Sequence, residues 1–411
     1  MALAWLLPGL QLPAGRLDCE MDDLNGGGPR SLSIFGSTGS IGRQALEVVR
    51  ASAGRFTVHA LSANSSLEDL ALQIAEFRPP VAVVGTSEMA SELCERFPWL
   101  SCRVGRSGLY EVAGEAEIAL NAVVGFSGLS VTLGALEAGK RLALANKESL
   151  VAAGPVVHAA MEASKGEIVP VDSEHAAIHQ CLRGYPHTEV ARLLLTSSGG
   201  PFRERAEADL ASVTKDEALK HPTWSMGPKI TVDSSTLMNK ALEIIEAVEL
   251  FGVEPAKVEV VVHPESIVHS MVEYVDGAVL AQLSRPDMRL AIGYALGYPE
   301  RMPTKYGELD FTSRLSLHFE PPRRSVFKGI DLAFEALRAG AGAPAWLNAA
   351  NEVAVDAFLQ GRIRWIEIYE VIEATMERFE PTRFSSADEV IALDQIARLR
   401  CSEVIGRRAP A

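Results

Sequence analysis

A short apolar run, Leu32 to Phe35, leads directly into Gly36-Ser37-Thr38-Gly39-Ser40-Ile41-Gly42, and an amphipathic segment follows at once. Few folds accept that order. Glycine at every third position permits a tight turn and close backbone approach, and the start of the following helix presents free N–H groups to a pyrophosphate. The usual fingerprint is G-x-G-x-x-G, whereas Ser37 stands here at the second glycine's place. A turn that merely requires glycine is the competing reading, and the strand-to-helix context weighs against it.

Short β-rich runs then recur at Thr57 to Leu61, Val81 to Val84, Ile118 to Ala122, Arg141 to Ala145 and Glu167 to Val171, separated by segments with apolar residues at helical spacing. That alternation predicts a parallel, doubly wound sheet. Further on, the runs Leu193 to Thr196 and Val258 to Val262 precede two alternating segments around Asp276-Gly277, a dipeptide suited to a tight hairpin. A Pro-rich connection, Phe319 to Arg324, leads to helical patterns at Leu332 to Ala339, Trp346 to Leu359 and Trp365 to Phe379. The expected organisation is α/β: a disordered extension over 1–30, a Rossmann-like doubly wound domain over 31–171, and a central α/β catalytic domain with a mostly antiparallel or mixed sheet over 172–310. A linker over 311–324 and a helical domain over 325–411 complete it.

A chain of 411 residues exceeds what one core usually organises. Its 39 Lys and Arg against 53 Asp and Glu give a net charge of −14, which opposes nucleic-acid phosphates rather than attracting them. The cysteines, Cys19, Cys94, Cys102, Cys181 and Cys401, form no C-x-x-C pair, which fits a reducing, cytoplasmic compartment. Ile118 to Leu136 carries no charge, but its Asn, Ser, Thr and Gly residues read as a buried strand, turn and helix rather than a membrane span. In the leader, Pro8 and Pro13 interrupt the apolar segment and no basic residue precedes it, so no secretory signal is expected.

The second β run ends in Ser62-Ala63-Asn64-Ser65-Ser66, without the Asp or Glu that binds a ribose 2′-hydroxyl, so NADP is favoured over NAD. Asp172-Ser173-Glu174 follows another run; residues two apart in extended chain share a face, so both carboxylates can converge on a hard cation such as Mg²⁺ or Mn²⁺. An acidic turn or a helix N-cap is the alternative. A helix is expected to begin near Asp233-Ser234-Ser235-Thr236 and to carry Asn239, Lys240 and Glu243 on one face, where Lys240 and Glu243 could equally be an exposed pair. Ser198-Gly199-Gly200, Ser234 and Lys240 could cradle a phosphate. His221 to Gly227 has the composition of a lid, or of a packed aromatic loop.

Together, G-S-T-G-S-I-G at 36–42, L-A-N-K-E-S-L-V at 144–151, V-D-S-E-H at 171–175, S-S-G-G-P-F-R-E at 197–204, H-P-T-W-S-M-G at 221–227 and D-S-S-T-L-M-N-K-A-L-E at 233–243 resemble the 1-deoxy-D-xylulose 5-phosphate reductoisomerase family. H-P-E-S-I-V-H-S-M-V at 263–272 and L-N-A-A-N-E at 347–352 extend the resemblance, which runs from about residue 31 to 405. It implies a rearrangement of the sugar phosphate to an aldehyde and its reduction with NADPH to 2-C-methyl-D-erythritol 4-phosphate. It also implies a homodimer; the acidic balance and the interrupted apolar stretch already argue against nucleic acid and membrane as partners. By the same resemblance Thr38, Gly39, Ser40, Ile41, Asn146, Glu148 and Gly227 contact NADPH, and Asp172, Glu174 and Glu243 hold the metal. Lys147, Ser173, Glu174, Ser198, His221, Ser234, Asn239, Lys240 and Glu243 contact the substrate, with Lys147, Asp172, Glu174 and Glu243 as the catalytic set. The sequence departs from the family pattern at Asn64-Ser65-Ser66, at Ser197 in place of a glycine, and in a short Gln180 to Arg192 segment.

Another Rossmann reductase, acting on an aspartate-derived aldehyde or on homoserine, would leave the carboxylate trio and L-A-N-K-E-S-L-V unexplained. A non-catalytic dinucleotide-binding regulator would not need them.

Overall fold

The computed structural model describes residues 28–407 apart from Ser225 and Ala341. The expectation for the leader falls outside these residues except at Gly28, Pro29 and Arg30, as does Cys19. Seven strands, β1 (Arg30–Phe35), β2 (Phe56–Ala63), β3 (Val81–Val84), β4 (Ser101–Val104), β5 (Ile118–Asn121), β6 (Arg141–Leu144) and β7 (Glu167–Pro170), form one sheet in the order β4-β3-β2-β1-β5-β6-β7. Every pairing in it is parallel. Strand order reverses between β1 and β5, which opens a crevice at their carboxyl ends.

Both faces of this sheet are covered, so an inner strand such as β3 reads as a continuous apolar run rather than an alternating one. In β3, Ala82 and Val84 enter one core and Val81 and Val83 the other. Helices Ser40–Ala51 and Leu67–Phe77 cover the first face, joined by helix Met288–Gly297 from much later in the chain. Helices Leu129–Glu137 and Lys147–Ala163 cover the second. The uncharged stretch from Ile118 is therefore strand, turn and buried helix, and no helix of the described residues is long and apolar enough to cross a membrane.

A second sheet holds β8 (Val190–Ser197), β9 (Val258–Val262), β10 (Val268–Tyr274) and β11 (Val279–Leu283) in the order β11-β10-β8-β9. It is mixed: β10 runs antiparallel to β8 and β11, while β8 and β9 are parallel. The β10–β11 connection turns at Asp276-Gly277, where Gly277 has φ +86° and Asp276 Oδ1 accepts from Ala278 N at 2.9 Å. Helix Met238–Phe251 packs in a core shared by this sheet and by helices Gly329–Ala339, Ala343–Leu359, Glu367–Met376 and Ala387–Gly406. Trp365, fully buried there, donates its indole N–H to Ser235 Oγ at 2.9 Å.

Two local expectations change. Asp233 to Ser235 end a separate helix, Pro228–Ser235, instead of capping the next one. Leu237, at φ 54°, makes the break, and helix Met238–Phe251 starts after it. Asp172 and Glu174 are likewise not in extended chain: Asp172 caps helix Ser173–Cys181, accepting from Ser173 N at 3.1 Å, and Glu174 lies in its first turn.

Candidate active site

The carboxyl ends of β1, β6, β7 and β8 border one cleft of about 860 Å³, whose far wall comes from helix Met238–Phe251 and from His221, Thr223, Trp224, Met226 and Gly227. At one end lies the glycine loop. Gly36 has φ +79°, and a Cβ on Gly42 would come within 2.3 Å of Gly36 O, so helix and loop pack at a separation only glycine permits. Ser37 turns inward: its buried hydroxyl donates to Gln73 Oε1 at 2.7 Å, and Gln73 returns a bond to Ser37 O at 3.0 Å. The missing second glycine therefore leaves the outer face of the loop clear.

Thr38, Ser40 and Ile41 line the cleft, and Gly39 precedes the helix as its N-cap. Asn146 and Glu148 are buried beside the cleft and are not among the residues that line it. Asn146 Nδ2 donates to Val123 O and Gly125 O, each at 2.8 Å, clasping the loop after β5. No basic residue follows β2 in sequence, but Arg43, from the helix after the glycine loop, lines the cleft and pairs at 2.8 Å with Asp69, three residues beyond Ser66. Sequence spacing gave no signal for it.

Asp172, Glu174 and Glu243 gather with ligand oxygens all within 4.8 Å of one another. Two ammonium groups meet them. Lys147 Nζ contacts Asp172, lies 3.2 Å from Glu243 Oε1 and donates to Asn239 Oδ1 at 2.9 Å. Lys240 Nζ lies 2.8 Å from Glu174 Oε1 and also contacts Glu243. Lys240 and Glu243 are buried, so they are not an exposed pair.

Burial alone would raise the Glu174 carboxyl, but the charge and hydrogen bond of Lys240 bring it down to about 2. Burial followed by the Glu174 charge pushes Glu243 up to about 7. Three acids against two ammonium groups leave the cluster short of positive charge, and its all-oxygen donor set suits a hard divalent cation.

A second acid layer stands behind it. His175 Nε2 donates to Glu243 O at 3.0 Å, and its Nδ1 lies 3.2 Å from Glu246 Oε2 without hydrogen-bond alignment. Burial lowers His175 to about 4, and burial followed by the Asp172 charge holds Glu246 well above the usual carboxylate range. Glu246 lies three residues beyond Glu243, one helical turn along the same face; that spacing was the available signal.

At the other end, Ser198 Oγ lies 3.1 Å from His221 Nε2. Nδ1 of His221 accepts from Thr223 N at 3.1 Å and Trp224 N at 2.9 Å, so the ring hydrogen belongs on Nε2 and points at Ser198. Burial holds His221 at about 4, leaving it neutral. Gly199 and Gly200, both at positive φ, aim backbone into the same corner, where Gly200 N donates to Ser198 Oγ at 3.3 Å. Ser173, Ser234, Asn239 and Gly227 also line the cleft. Trp224 lies against His269 with ring centroids 6.3 Å apart. His269 and Ser266 reach the cleft from the 263–272 motif, for which the sequence suggested no role.

Family models described as 1-deoxy-D-xylulose 5-phosphate reductoisomerase match residues 32–154, and those for its C-terminal domains match 168–251 and 283–400. The enzyme of that name from Heliobacterium modesticaldum is 48% identical over 384 residues, spanning 92% of this chain and 98% of the relative. Its Bacteroides thetaiotaomicron namesake is 45% identical over 380 residues, spanning 92% and 97%. The Zymomonas mobilis enzyme, solved with NADPH, superposes with a TM-score of 0.87 at 40% identity over 92% of this chain and 100% of that one. A reductoisomerase solved with NADPH, fosmidomycin and magnesium gives 0.88 at 38% identity, over 92% and 98%. The chain belongs to the 1-deoxy-D-xylulose 5-phosphate reductoisomerase family.

Proposed function

We propose that the chain converts 1-deoxy-D-xylulose 5-phosphate and NADPH, with one proton, into 2-C-methyl-D-erythritol 4-phosphate and NADP⁺, by rearrangement of the α-hydroxyketone to an aldehyde and reduction of that aldehyde. The observation that carries this reading is one cleft that joins a dinucleotide loop, a cation-poor trio of carboxylates and a corner of neutral donors. The relatives solved with NADPH and magnesium support it.

Asp172, Glu174 and Glu243 hold the divalent cation, Mg²⁺ or Mn²⁺. When bound, that ion supplies Lewis-acid polarisation of adjacent substrate oxygens, and NADPH bound at the glycine loop supplies the hydride. Thr38, Gly39, Ser40, Ile41 and Gly227 border the cofactor, with Asn146 and Glu148 shaping its wall. Arg43 gives the Asn64 to Ser66 loop the cation that a 2′-phosphate requires.

Lys147 is held by Asn239 beside Asp172, so its ammonium favours negative charge developing on a substrate oxygen. Ser198, Ser234, Asn239 and neutral His221 present donors to the phosphate, anchoring the end of the substrate remote from the chemistry. Ser173 and Lys240 lie between the two regions, Lys240 serving both the carboxylates and the substrate. Trp224 closes against His269 and excludes water.

The chain is read as domains at 31–171, 172–310 and 325–411 with a connection at 311–324, and as a homodimer in the cytoplasm. The partly exposed edge strand β11, with Val279 and Leu283 at the surface, is compatible with self-association. NADPH oxidation followed by absorbance with 1-deoxy-D-xylulose 5-phosphate, with and without Mg²⁺ or Mn²⁺, tests the activity. Oxidation that requires metal is expected; folded protein inactive under every condition would reject it.

A further inference from the structure

Beside the cleft, and outside the carboxylate trio, one lysine is held between two acids in the protein interior. Lys229 Nζ lies 2.8 Å from Asp233 Oδ2 and 3.1 Å from Glu148 Oε1, with side-chain exposures of 20%, 1% and 11% for the three. Burial alone would lower the lysine, but Asp233 and Glu148 hold it well above its usual range.

Buried ion pairs add little net stability, because desolvation offsets their attraction, so the use of this one is better sought in geometry. Lys229 stands two residues after Gly227, where the 221–227 loop ends. Thr231 Oγ1 donates to Gly227 O at 2.8 Å, and Pro228 restricts the backbone between them. Glu148 follows β6, and its Oε2 accepts from Asn146 Nδ2 at 3.2 Å, the same amide that clasps the loop after β5. The lysine thus joins the foot of the loop to the opposite wall of the cofactor end.

The L-N-A-A-N-E motif, for which no role had emerged, supplies the brace. Asn351, fully buried on helix Ala343–Leu359, donates to Asp233 Oδ1 at 2.9 Å. Its neighbour Glu352 accepts from Phe126 N at 3.1 Å in the loop after β5 and is itself paired with Arg398. Adjacent residues of one helix therefore grip both sides of the cofactor end.

We infer that Lys229 is a positioning residue for the dinucleotide: clamped by Glu148 and Asp233 and braced by Asn351, it sets the spacing between the wall behind Asn146 and the foot of the 221–227 loop at Gly227. This rests on the NADPH reading above. Without the ammonium, Glu148 and Asp233 repel across the gap and the wall moves away from the loop.

The test uses the full chain with NADPH as probe, its dissociation constant read from nicotinamide fluorescence. Lys229→Met is expected to weaken NADPH roughly tenfold, and Asn351→Ala, which is remote from the cleft, roughly threefold. Lys229→Arg keeps the charge and is expected to recover most of the loss. Affinities for the sugar phosphate and for Mn²⁺ should stay within about twofold of wild type, a split that general destabilisation would not produce. If Lys229→Met does not fold, Asn351→Ala and Lys229→Arg decide. Lower melting temperatures with NADPH affinity unchanged would overturn the positioning role while leaving the enzyme assignment intact. A wild-type protein that does not bind NADPH would overturn both.

Discussion

Glu243→Gln tests the metal centre most directly, because this carboxyl has no solvent exposure and is pushed up to about 7 by burial and the Glu174 charge. Below that pH a cation must displace a proton. The apparent dissociation constant then rises by a factor of ten per pH unit, so Mn²⁺ should bind wild type roughly tenfold more weakly at about pH 6 than at about pH 8. Glutamine has no such proton to lose. The variant should show no pH step from this group, and at about pH 8 should bind Mn²⁺ at least roughly a hundredfold more weakly for want of a charged ligand. NADPH affinity should stay within about twofold of wild type. Free Mn²⁺ is measured by electron paramagnetic resonance during titration at each pH.

The same group makes a stability statement for the metal-free protein. Between 4.5 and about 7 the unfolded chain ionises this carboxyl while the folded chain keeps it protonated. Stability from it is thus complete below 4.5 and falls by roughly 1.4 kcal/mol per pH unit, about 3 kcal/mol in all, as pH rises to about 7. Added metal should reverse the loss. Mn²⁺ affinity that is flat across this range, or a Glu243→Gln protein that binds Mn²⁺ like wild type, would refute the reasoning.

Three further outcomes are expected. Gly42→Ala places a Cβ 2.3 Å from Gly36 O and 2.4 Å from Ser37 Cα, so it should cost about 1–3 kcal/mol in denaturant unfolding and more than tenfold in NADPH affinity; unchanged affinity would mean the loop does not meet the cofactor. Lys240→Ala should raise the KM for the sugar phosphate about tenfold or more, whereas an unchanged KM would reduce the ammonium to a counter-ion for Glu174 and Glu243. Trp365→Ala should destabilise by about 3–5 kcal/mol in urea, since the indole is fully buried and bonded to Ser235; a loss under about 1 kcal/mol would contradict the packing.

Legibility followed burial. β3 and β9 match the runs Val81 to Val84 and Val258 to Val262 residue for residue: β3 is a dense apolar run between two covered faces, and β9 is a valine-rich edge strand that alternates buried valines with the exposed Glu259. β4 escaped because Ser101-Cys102-Arg103-Val104 is a partly exposed edge strand with almost no apolar signal. Helix Ala387–Gly406 escaped for want of a strong stripe, although Ser386 and Glu389 form a capping box that marks its start. At Asp233 to Thr236 the chemistry itself is ambiguous. Hydroxyls that can cap a helix can also bond back within one, as Ser235 does to Val232 O at 2.6 Å, and nothing about leucine announces the left-handed backbone at Leu237.

The site shows the same division more sharply. Period-two spacing picked Asp172 and Glu174 as a pair, but they converge as an N-cap and a first-turn residue, a geometry in which the helix start itself helps hold the negative charge. Motifs supplied the carboxylates and lysines but, apart from the i, i+3 neighbours Lys240 and Glu243, not their pairing. Lys147 meets Glu243 across 96 residues of chain and Lys240 meets Glu174 across 66, while Lys240 and Glu243 are three apart on one helix; Lys240 lowers Glu174, and burial with the Glu174 charge raises Glu243 against both lysines. A local pattern can name the groups that a metal needs. Only the packed interior decides that Glu243 holds its proton near neutrality while Glu174 does not, and it is this difference that makes metal binding at the centre depend on pH.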